Sequence, residues 1–114
     1  MARFRIREGD NLRLTVRSAS TANDFAVSVH VRYDDGSDDW LTIPRGTVTT
    51  AYTAQSFLSS SHAKKDGFVE SGLVHGPNTA PVHGAIYCTL FLEQGPPRAI
   101  LCKGYLTAAG LLLG

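Results

Sequence analysis

Four histidines, two cysteines and one dense acidic turn are the residues of this 114-residue chain that could do chemistry. The acidic turn reads Asp34-Asp35-Gly36-Ser37-Asp38-Asp39. Clustered carboxylate oxygens suit Ca²⁺, which makes Asp34, Asp35, Asp38 and Asp39 the candidate metal ligands. Their spacing departs from an EF-hand loop, because Gly36 falls too early and no Glu closes the turn. A solvated hairpin turn accounts for the same residues, since Asp and Gly supply the positive φ that a hairpin needs. No resident metal or cofactor is expected.

His30, His62, His75 and His83 lack zinc spacing, and neither Cys88 nor Cys102 sits in a Cys-x-x-Cys pair. His75 and His83 flank a Pro/Gly connection. An acid/base site would need both to converge with an Asp in one pocket. There is no Gly-x-Ser-x-Gly turn and no Gly-rich phosphate loop. The expectation is a noncatalytic protein with no small-molecule substrate. The alternative is a carbohydrate- or surface-binding module, with Trp40, Tyr33 and Tyr52 beside the acidic turn as stacking platforms. Exposure of Trp40 decides whether that platform exists.

The elements that must position these residues have a period of two almost throughout. Phe4 and Ile6 alternate with Arg3, Arg5 and Arg7; Leu12, Leu14 and Val16 alternate with Arg13 and Arg17. Phe25, Val27, Val29, Val31 and Tyr33 alternate with Ala26, Ser28, His30 and Arg32, which predicts a central strand with the first set inward. A short strand Trp40–Ile43 should end at Pro44. Residues 48–58 read as one or two strands, 59–67 as a flexible polar loop, and 68–75 as a strand with a bulge near Gly72. About eight strands and no convincing helix predict an all-β, single-domain antiparallel sandwich, jelly-roll-like, or a small barrel.

The stretch from Gly84 to Leu106 reads as a hairpin around Gly95-Pro96-Pro97 with apolar residues on both faces. Ile86, Cys88, Leu90 and Leu92 form one row; Tyr87 and Phe91 stand on the other. A chain of this length builds one core, so the second row should meet a partner. Tyr87, Phe91 and Tyr105, with the apolar tail Leu111, Leu112 and Leu113, are the candidate interface. Cys88 and Cys102 should be buried, reduced thiols on adjacent strands.

Charged residues make up 18% of the chain and the net charge is +1, so no global field steers it to nucleic acid or an acidic membrane. Arg3, Arg5, Arg7, Arg13 and Arg17 should form a positive stripe on one sheet face, the candidate contact for an acidic partner subunit. No stretch is long enough to span a membrane, and no apolar segment follows the N-terminal arginines, which predicts synthesis and retention in a cytoplasm.

Three strand-plus-turn segments carry a resemblance: Leu12-Arg13-Leu14-Thr15-Val16, Val29-His30-Val31-Arg32-Tyr33-Asp34-Asp35-Gly36 and Lys65-Asp66-Gly67-Phe68-Val69. With Gly84–Leu92 and Leu101–Thr107 they resemble small β-sandwich virion proteins of tailed bacteriophages. The resemblance implies a structural protein of the virion, made in host cytoplasm, from the capsid, neck, collar or tail. Its partners would be itself and other virion proteins. The chain departs from the pattern by stopping soon after Gly104-Tyr105-Leu106-Thr107.

Overall fold

The computed structural model describes residues 4–18, 23–48, 54–76, 86–106 and 110–113. Among these residues nine strands run in chain order: β1 Phe4–Ile6, β2 Asn11–Ser18, β3 Asn23–Tyr33, β4 Asp38–Val48, β5 Gln55–Leu58, β6 Gly67–His75, β7 Ile86–Glu93, β8 Pro97–Leu106 and β9 Leu111–Leu112. They form two antiparallel sheets. The first is ordered β1-β6-β3-β4, with β9 pairing β6 beside β1; the second is ordered β5-β2-β7-β8. Each sheet keeps its own edges, so the architecture is a sandwich and not a closed barrel. Among the described residues no helix is long and apolar enough to cross a membrane.

The period-two rows explain the packing. Phe25, Val27, Val29, Val31 and Tyr33 all face inward from β3, in the middle of the first sheet. Leu12, Leu14 and Val16 of β2 and Ile86, Cys88, Leu90 and Leu92 of β7 answer them from the second sheet. The Phe25 and Phe57 rings meet at 4.5 Å between the layers.

Four readings are corrected. Pro44 does not end its strand. β4 is an edge strand, and a register shift opposite Ala26 absorbs Pro44 where no ladder N–H is needed. The basic residues do not share one face, because β1 and β2 belong to different sheets. The 59–67 loop is stitched down: Ala63 is buried, its N–H donates to the Asp10 carbonyl, and Gly9 N–H donates to the Ala63 carbonyl. The bulge in β6 is at Glu70, not Gly72. His30 pairs with Ser71 and Val31 with Val69, leaving Glu70 as the extra residue.

One ion pair locks the corner between the sheets. Asp10 is fully buried and accepts from the Arg7 N–H at 2.8 Å and from Arg98 Nε at 2.9 Å. Arg98 Nη2 closes the second half of the fork on Asp10 Oδ2. The β1–β2 turn is thereby tied to the start of β8.

Candidate functional site: the outer face of the second sheet

The outward row of the second sheet can be followed strand by strand. Leu58 of β5 pairs with Arg13 of β2, Arg13 with Phe91 of β7, and Phe91 with Ile100 of β8. Two rows along, Arg17 pairs with Tyr87, and Tyr87 with Tyr105. Between them lies the row Ser56, Thr15, Thr89 and Lys103. A solvated sheet face is normally polar. This one exposes Leu58, Tyr87, Ile100 (54% accessible) and Tyr105 (63% accessible), with Phe91 half-buried among them.

A bulge in β8 produces this arrangement. Leu90 pairs with Cys102 and Phe91 with Ile100, so Leu101 is an extra residue in the ladder. Leu101 and Cys102 both turn inward and are buried, while Ile100 is left outside opposite Phe91. Arg17 and Lys103 stand exposed on the same face, and the third cation is paired. Arg13 Nε donates to Glu93 Oε2 at 2.8 Å, which neutralises the guanidinium inside the apolar row. The Tyr87 and Tyr105 rings meet edge to face, with centroids 5.1 Å apart at 76°.

Of the expected interface residues, Tyr87, Phe91 and Tyr105 share this face. Leu112 is exposed on the other sheet, where it pairs with Leu73. Leu111 packs partly against the core and Leu113 is buried in it, so neither tail residue joins Leu112 outside. Alternation within β9 is the reason: a two-residue strand sends its neighbours to opposite sides. Ile100 and Leu58 complete the patch and were not singled out from sequence. Ile100 was hidden because a bulge reverses parity, and Leu58 because β5 is too short to show a period.

The other expected sites divide as follows. Arg5 forks onto Asp34, at 2.9 Å and 2.6 Å, and lies over the Phe68 ring of the first sheet. Arg7 is exposed at the corner, Arg17 lies on the outer face of the second sheet, and Arg3 falls outside the described residues. The four acidic-turn carboxylates do not converge. Asp34 takes Arg5, Asp35 takes Lys65 and Ser37, Asp38 takes Arg32, and Asp39 takes the Tyr33 hydroxyl. Among the described residues no group of three or more His, Cys, Asp or Glu is placed to hold a metal ion.

Cys88 and Cys102 are free, buried and diagonal across the β7–β8 pair. Burial pushes the Cys88 thiol up to about 12 and the Cys102 thiol up to about 11, the opposite of what a nucleophile needs. His83 lies outside the described residues. His75 Nε2 stands 3.2 Å from Ser28 Oγ on an open sheet face. Tyr33 points into the core and Tyr52 lies outside the described residues, whereas Trp40 is exposed. Comparison of the chain with protein-family models, curated proteins and solved structures gives no match.

Proposed function

We propose that this chain is a noncatalytic structural subunit that self-associates through the outer face of its second sheet, as a component of a bacteriophage particle. The observation that carries the reading is the unbroken cross-strand row Leu58, Arg13, Phe91 and Ile100, with the Tyr87–Tyr105 pair two rows away. Apolar side chains on three of the four strands of a solvated face, joined across β2 by the paired Arg13, are what a partner surface looks like before the partner is present. Aromatic residues and an arginine whose charge is already neutralised are the types that anchor such contacts. A stable interface needs about 800 Å² per partner, which is the scale of one whole sheet face and not of a single residue cluster.

The virion setting rests on the strand-plus-turn segments described from sequence. The self-association rests on the face itself. Sedimentation of the wild-type chain beside an Ile100→Asp variant tests it. Ile100 is already exposed, so the variant should fold; it should also run as a monomer where the wild type runs as an oligomer. An oligomer of unchanged size in the variant would reject this face as the contact.

A further inference from the structure

The opposite side of the sandwich carries a second feature that self-association does not use. A groove of about 420 Å³ crosses the first sheet, lined by Ser28, Trp40, Ser71, Leu73, His75 and Leu112. That volume falls within the range of about 300–1,000 Å³ usual for small-molecule sites. Four strands build it, β3, β4, β6 and β9, and the β6 bulge is part of the construction. With Glu70 as the extra residue, Ser71 stays outward as the cross-strand partner of His30.

The side chains are fixed against one another. The Trp40 ring stacks on its cross-strand neighbour His30, centroids 4.9 Å apart and 28° from parallel. One indole face is therefore held, while the side chain remains 54% exposed. Ser28 Oγ and His75 Nε2 form a hydrogen-bonded pair at 3.2 Å within the lining, and the hydroxyl keeps further hydrogen-bonding capacity. Leu73 and Leu112 are paired across β6 and β9 and supply an aliphatic wall.

No lining residue is an acid, a lysine or an arginine. An anionic ligand would want cationic donors, which the groove lacks. An added peptide strand would want a sheet edge, and this groove crosses the sheet face. An aromatic plate, an aliphatic wall and two hydroxyls beside an imidazole match a ring with one apolar C–H face and a hydroxyl-bearing rim. We infer that the groove binds a neutral pyranose sugar, with Trp40 stacking on the sugar face and Ser28, Ser71 and His75 bonding its hydroxyls. An open site of this kind should bind weakly, in the millimolar range.

Trp40 is the chain's single tryptophan, so its fluorescence reports on the groove directly. The experiment titrates the protein with neutral methyl pyranosides of the gluco, galacto, manno and N-acetylgluco series. At least one should give a saturable emission change. Ser28→Ala and His75→Ala, which keep the fluorophore, should each weaken that sugar by about tenfold. Ile100→Asp lies on the far face and should respond as the wild type does, which separates this inference from the one about assembly. No saturable change with any of the four sugars would overturn it. So would unchanged affinity in both groove variants, or emission that follows protein concentration and not sugar, which would mean that a second copy fills the groove.

Discussion

Tyr87 and Tyr105 face each other across β7 and β8, edge to face at 5.1 Å, on the outside of the sandwich. A cross-strand aromatic pair on a solvated face contributes only a few tenths of a kcal/mol to about 1 kcal/mol, and the same pair gains apolar burial when a partner removes its water. Left in solvent, it stabilises the subunit little; covered by a partner, it becomes an anchor. Tyr105→Ser should therefore weaken self-association by about tenfold, or about 1.4 kcal/mol. Unfolding stability of the separated subunit should change by less than about 1 kcal/mol. Dilution series and denaturant melts of the same samples separate the two effects.

Asp10 and Arg98 show the opposite economy, a charge pair committed to the fold. Asp10 is fully buried, and Arg98 supplies two of its hydrogen bonds. Arg98→Met removes the partner and leaves a desolvated carboxylate behind. A loss of about 3 kcal/mol in urea unfolding is expected. A loss below about 1 kcal/mol would show that the corner relaxes around the missing guanidinium.

The two cysteines should be inert in the native protein. With folded values pushed up to about 12 and about 11, Cys88 and Cys102 hold almost no thiolate at neutral pH, and both are covered by the core. A thiol reagent should titrate none in the folded chain at pH 8 and two in denaturant. Rapid modification of either in the folded chain would contradict the inward turn of Leu101 and Cys102 at the β8 bulge.

Acid should weaken the turn end of the sandwich. The Lys65 ammonium, with Ser37, holds the Asp35 carboxyl well below the ordinary carboxylate range. Arg5 lowers Asp34, and the Tyr33 hydroxyl lowers Asp39. A folded pKa below the unfolded value gives stability that is present above about pH 4 and lost as pH falls through the folded value. Denaturant melts should show stability declining below about pH 4. Lys65→Met removes the largest cause for Asp35, so it should lower stability slightly at neutral pH and flatten the decline by the same amount, the two proteins converging in acid; the difference is small because the pair is exposed.

The central strand was legible because alternation runs unbroken from Phe25 to Tyr33, and strict period two leaves one solution for which side is inward. Both faces of the β7–β8 hairpin were legible for the same reason as far as Phe91. Beyond it the β8 bulge reversed parity, so Ile100 stood outside without any local signal. The first-sheet groove was less legible still. Trp40, Ser28, Ser71 and His75 lie on three strands, and only the register set by the Glu70 bulge brings them together. The Asp10–Arg98 lock joins residues 88 positions apart, which alternation within a strand has no means of reporting.

Sedimentation equilibrium of the wild-type chain across micromolar concentrations tests the central claim most directly. The account predicts a mass several times that of one chain, falling toward the single chain on dilution or in Ile100→Asp. A wild-type mass equal to one chain at every concentration would contradict it, leaving the Leu58–Arg13–Phe91–Ile100 row as a solvated surface.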